Sequence, residues 1–86
     1  MLTRFTALVQ IFAESSGIDR VERALSKLDN LEALFEVTGE YDIVALISAA
    51  DYVEFREILK NKIRNIEGVK ATAISVVLKD VRAPSV

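Results

Sequence analysis

Along Thr3 to Ala13, "TRFTALVQIFA", the side chains alternate, with Phe5, Ala7, Val9, Ile11 and Ala13 on one side and Thr6, Leu8, Gln10 and Phe12 on the other. A period of two predicts a β-strand, and both sides are largely apolar. An antiparallel strand with one wet face shows a polar side, so this strand is expected in a sheet covered on both faces. "ESSG" (14–17) reads as a loop. Ile18, Val21, Leu25 and Leu28 then fall at helical spacing with Ala24 beside them, while Arg20, Glu22, Arg23 and Lys27 lie elsewhere on the wheel. Asp19 with Glu22 has the form of a capping box, Ser16 or Gly17 offers another start, and Asp29-Asn30 ends the helix.

Leu31 to Thr38 reads as a second strand, with Ala33, Phe35 and Val37 opposed to Leu34, Glu36 and Thr38. Its polar content places it at a sheet edge. Gly39 suits a tight turn, and Asp42 to Ser48 is the most continuously apolar strand, expected at the centre of the sheet. Asp51 with Glu54 is a second capping-box candidate. Tyr52, Phe55, Leu59, Ile63 and Ile66 follow as a helical stripe with Ile58 flanking it. Glu67-Gly68 breaks the helix, and Val69 to Lys79 is a last strand with Thr72, Ile74, Val76 and Leu78 on one side. The order is βαββαβ. It predicts a ferredoxin-like α+β sandwich, a four-stranded antiparallel sheet with two helices on one face, over residues 1–80, followed by a tail at 81–86 that holds the only proline. Helices on one face leave the other apolar face bare, so a second sheet is the expected cover and a face-to-face dimer follows.

Two quoted stretches carry a family resemblance. "VTGEYDIVALI" (37–47), followed about twenty residues later by "IEGVKATAISVVL" (66–78), resembles the ligand-binding (RAM) domain of the Lrp/AsnC transcription regulators, whose pattern runs T-G-x-x-D, a helix, then G-V-x-x-T-x-T. The resemblance spans the chain from the first strand to Leu78. It implies a dimer packed through its sheets, further assembly of dimers, and a small amino acid or related effector bound where dimers meet. Full-length members carry a helix-turn-helix domain ahead of this one. Here Met1 leads straight into the first strand, so a stand-alone version is expected, acting through partners such as a full-length Lrp/AsnC regulator. The sequence departs from the pattern at Ile74, which stands where the second threonine is expected.

Composition narrows the chemistry. Eighty-six residues make one small domain, marginal alone and stabilised by association. Eleven basic and 13 acidic residues give a net charge of −2, which shows no footprint for direct nucleic-acid binding. Histidine and cysteine are absent, which removes imidazole bases, thiolate nucleophiles, disulfides and the usual zinc ligands. No cofactor or metal is expected, and the chain reads as a non-enzyme. No apolar run reaches the roughly 18 residues of a membrane span and no signal peptide is visible, so a cytoplasmic location without membrane contact is expected.

The expected ligand site comprises Gly39, Glu40, Tyr41, Asp42, Thr72 and Ile74. Each has two readings. Gly39 and Glu40 either simply close the hairpin or also present backbone N–H groups to a carboxylate. Asp42 either stabilises its own turn or accepts hydrogen bonds from a ligand ammonium. Tyr41 is a half-buried aromatic or a ligand wall. Thr72 is an ordinary strand threonine or a pocket hydroxyl, and Ile74 makes such a pocket more apolar. Arg56, Lys60, Lys62 and Arg64 read as a solvated helix face paired with Glu54 and Glu57. Two other functions compete: a small dimeric α+β-barrel enzyme with a pocket between helices and sheet, and RNA binding on the open sheet.

Overall fold

The computed structural model describes residues 4–82 and sets out six main elements in the expected order. They are β1 (Phe5–Ala13), α1 (Ile18–Ser26), β2 (Leu31–Glu36), β3 (Ile43–Ala49), α2 (Tyr52–Ile58) and β4 (Val69–Val76). The strands form one antiparallel sheet in the order β2-β3-β1-β4. This is the ferredoxin-like α+β arrangement, with β2 at an edge and β3 inside, as the hydrophobic pattern indicated. The expected strand start at Thr3 and the tail segment 83–86, with its proline, lie outside the described residues.

Register decides which side chains share a face, because residues paired across a ladder point the same way. Ala7, Val9 and Ile11 of β1 pair with Ile47, Ala45 and Ile43 of β3, and all six are fully buried. Val21 and Leu25 of α1, Phe55 and Ile58 of α2, and Ile63 complete this core. Small alanines on the sheet leave room for the helices, and each buried isoleucine contributes about 1.5–3 kcal/mol relative to exposure. On the opposite face, Leu8 pairs with Leu46, Thr6 with Ser48, and Val44 with both Gln10 and Phe35. Neither helix packs on that face. Phe12 and Phe35 stand exposed there, at 40% and 57%.

The helix ends differ from the sequence expectation in informative ways. Asp19 and Glu22 do not form a capping box. A 3-10 turn, Ser15–Gly17, feeds directly into α1, with Gly17 at the N-cap and no side-chain cap. The chain is held there by packing: a Cβ on Gly17 would sit 3.4 Å from Gly68 Cα, and Glu14 N–H donates to the Gly68 carbonyl at 2.9 Å. Asp19 is therefore left within the first turn, where its charge favours the helix N-terminus. Asp51 caps α2 as expected, accepting from Glu54 N–H at 2.9 Å. Glu54 returns its carboxylate one residue earlier than a capping box does, to Ala50 N–H at 2.6 Å.

The second helix is not α-helical throughout. Leu59–Ile63 form a π-helical turn, closed by Arg64 N–H donating to the Leu59 carbonyl at 2.9 Å. In an α-helix, five residues rotate the face by ~140° from alignment, so Ile58 and Ile63 would point apart. The wider turn brings both into the core. This revises the stripe read from sequence: Ile58 is buried, Leu59 only half-buried, and Tyr52 is 55% exposed with its ring edge-on to Phe5. β2 and β4 are also shorter than expected. β2 stops at Glu36, although Val37 N–H still reaches across the hairpin to the Asp42 carbonyl, and β4 stops at Val76, beyond which Val77 N–H still reaches the Thr6 carbonyl.

Candidate functional site

The turn between β2 and β3 is tied down at its base. Val37 N–H donates to the Asp42 carbonyl at 2.8 Å, and Asp42 N–H donates to the Ile11 carbonyl at 2.9 Å. The Asp42 carboxylate accepts from Ala13 N–H at 3.0 Å through Oδ2. Asp42 thus clamps the hairpin to the end of β1, which gives its structural reading a definite geometry. Gly39, at the tip, takes φ +125°, a region closed to most L side chains, and has open space around it. Gly39 and Glu40 are exposed, and Tyr41 is half-buried.

Thr72 and Ile74 lie on edge strand β4, paired with Ile11 and Val9. Asp42 and Thr72 therefore flank Ile11 from its two sides, roughly two strand spacings or ~10 Å apart. An open hollow of about 190 Å³ lies along β4, lined by Arg64, Val69, Lys70, Ala71 and Thr72. It includes Thr72 and none of the turn residues or Ile74. The six candidates thus form two groups on either side of β1 in one chain. The enzyme reading expects a pocket between helices and sheet; this hollow lies at the sheet edge instead.

The match that decides the family is to the Lrp/AsnC ligand binding domain, over residues 6–85. The chain belongs to this family. Among curated relatives, a homocitrate synthase of Sulfurisphaera tokodaii is 36% identical over 74 residues, 85% of this chain and 16% of that protein. An HTH-type transcriptional regulator of Pyrococcus horikoshii is 31% identical over 77 residues, 90% of this chain and 51% of its own length. The chain therefore spans about half of the regulator and a small part of the synthase. Among solved structures, a Thermus thermophilus protein superposes with a TM-score of 0.85 at 27% identity, covering 94% of this chain and 99% of that one. A transcriptional regulator of Neisseria meningitidis, solved with L-Met, has the same fold with a TM-score of 0.85 at 18% identity, covering 92% and 53%.

Within this Lrp/AsnC domain, several polar features escaped the sequence reading. The basic helix face is not paired as expected. Glu54 is committed to Asp51 and Ala50, Glu57 Oε1 accepts from Asn61 Nδ2 at 2.8 Å, and Glu67 pairs with Arg20 of α1 at 4.0 Å. The asparagine at i+4 competes for the glutamate, which spacing alone does not reveal. Lys70 lies over the Phe12 ring at 5.1 Å from its centre, on the helix-free side. On that same side the Thr6 and Ser48 hydroxyls are 2.9 Å apart, satisfying each other in an otherwise apolar face. Glu22 on α1 is held above the usual carboxylate range, chiefly by a hydrogen bond with Glu36 of β2, then by desolvation and like charge. No helix among the described residues is long and apolar enough to cross a membrane.

Proposed function

We propose that this chain is a non-catalytic regulatory module that binds a small amino acid or related metabolite and assembles with copies of itself. The observation that carries the reading is that one segment of 74–77 residues is shared with proteins as unlike as a homocitrate synthase and an HTH-type regulator. What they have in common is separable from catalysis and from DNA recognition. Ligand sensing and assembly are functions that can be attached to either. The similar regulator solved with L-Met supports an amino acid as the chemical class of effector.

The helix-free face supports the assembly half. Leu8, Phe12, Ala33, Phe35, Val44 and Leu46 form an apolar surface that a second copy's sheet covers in a face-to-face dimer. The division of the candidate residues supports the ligand half. Gly39, Glu40, Tyr41 and Asp42 of one dimer meet Thr72 and Ile74 of another, and the effector sits between them, its carboxylate toward the turn amides. An effector so placed shifts assembly only by its differential affinity for the assembled state. Regulation then passes to a protein partner such as a full-length Lrp/AsnC regulator, in the cytoplasm and without direct contact to nucleic acid. Calorimetry and light scattering across the twenty amino acids test this. The expected result is that one or a few bind and change particle size; a panel without binding or size change overturns it.

A further inference from the structure

The hollow along β4 gathers donors from two elements. Arg64 stands just past the π turn, Lys70 near the start of β4, and Thr72 further along that strand. Lys70 owes its position to an irregularity. Phe12 opposes Ala71 while Ala13 opposes Val69, so Lys70 is an extra residue in an edge strand, the form of a β-bulge, which re-aims a side chain. Its ammonium lies over the Phe12 ring. Glu57 and Glu67 are engaged elsewhere, with Asn61 and Arg20, and among the described residues neither Arg64 nor Lys70 is held in an ion pair. Thr72 offers backbone as well as a hydroxyl. Val77 N–H donates to the Thr6 carbonyl, and bonded pairs alternate with unbonded ones along an antiparallel ladder. Counting back along the register, Ala73 and Ala71 turn their N–H groups toward β1, and Thr72 N–H faces off the open edge. A guanidinium, an ammonium, a hydroxyl and an edge amide can all donate to an oxyanion, and among the described residues no carboxylate lines the hollow.

We infer that the effector is an acidic amino acid, its side-chain carboxylate seated in this hollow among Arg64, Lys70 and Thr72. The inference rests on the regulatory function proposed above and adds to it the charge of the ligand. The guanidinium fork matches the two oxygens of a carboxylate, and Lys70 supplies a second, point-like charge. Size agrees. A volume of about 190 Å³ falls below the roughly 300–1,000 Å³ of sites for drug-sized ligands and suits a short side chain. Desolvation argues the same way. Where a second dimer covers the hollow, two cations leave water; a neutral side chain leaves them uncompensated, and a bound carboxylate removes that penalty. The α-carboxylate stays with the turn amides of the other dimer, so the two negative groups of the ligand lie at opposite ends of the site.

Acid and amide pairs of equal shape test it, because they differ in charge alone. L-Glu is titrated against L-Gln, and L-Asp against L-Asn, into the full chain and into a variant carrying Arg64→Gln with Lys70→Gln, by calorimetry at neutral pH. Both side chains are exposed, and circular dichroism checks that the variant is folded. In the parent, one acid is expected to bind at least about tenfold more tightly than its amide. In the variant that ratio is expected to fall to about one, a change of preference that general damage to the fold does not produce. An amide that binds the parent as well as its acid overturns the inference, since the cations are then compensated by the protein, and it leaves the regulatory reading standing. An acid preference that survives in the variant also overturns it, because the charge is then read elsewhere. Inorganic phosphate is the remaining arm. If it binds as tightly as the acid and is lost with Arg64 and Lys70, the hollow is a general oxyanion site and the inference falls. Absence of binding by any of the twenty amino acids removes the regulatory reading, and this inference with it.

Discussion

At the scale of single residues, the same side chain can serve the fold and a ligand, and Asp42 shows how to separate the two. Its carboxylate satisfies Ala13 N–H at the end of β1. Asp42→Ala is expected to cost about 1–3 kcal/mol in urea unfolding, because the amide loses its partner. Any further loss of effector binding, measured well below the melting temperature, is then the ligand role. The two positive-φ glycines make a second pair. A Cβ on Gly68 (φ +105°) meets Val21 Cγ2 at 3.2 Å, whereas one on Gly39 meets nothing within 4 Å. Both alanine variants carry backbone strain of about 1–3 kcal/mol, and Gly68→Ala is expected to be the less stable because it also crowds the core. Glu22 supplies a pH test. Its raised pKa means the folded state holds its proton more tightly than the unfolded chain does. That contribution is complete below the ordinary glutamate range and is lost as pH rises through the raised value. Glu22→Gln is therefore expected to be as stable as the parent at acid pH and slightly more stable at neutral pH, read from urea midpoints.

At the scale of elements, legibility followed the strength of the local pattern. Alternation in β1 and the apolar run of β3 announced both strands and, with the charge on β2, their places in the sheet. The Asp51 cap was legible because its partner is three residues away. What the sequence did not reveal was set by contacts distant along the chain. Gly17 against Gly68 fixed the entry to α1 and displaced the capping box expected at Asp19. The π turn at Leu59–Ile63 was hidden because an i, i+4 stripe through Phe55, Leu59 and Ile63 already looks α-helical. Only the burial of Ile58 with Ile63 exposes it. Among the candidate site residues, the turn motif placed Gly39 and Asp42 correctly on a hairpin. The hollow at Arg64 and Lys70 was not legible, since it joins the end of one element to the start of another.

At the scale of the whole molecule, the helix-free face dominates. Leu46→Glu, set beside Leu8 on that face, is expected to yield a folded monomer by light scattering with native circular dichroism. A retained dimer would place the contact elsewhere. The bare face also has a consequence for how the protein is governed in solution. With a second copy as its cover, much of the apolar surface that holds each chain together belongs to a reaction of second order, so the melting temperature rises with protein concentration. Calorimetric scans over a hundredfold dilution series are expected to show that drift. On the function proposed above, the amount of the protein present is then itself a regulatory variable, acting before any metabolite arrives.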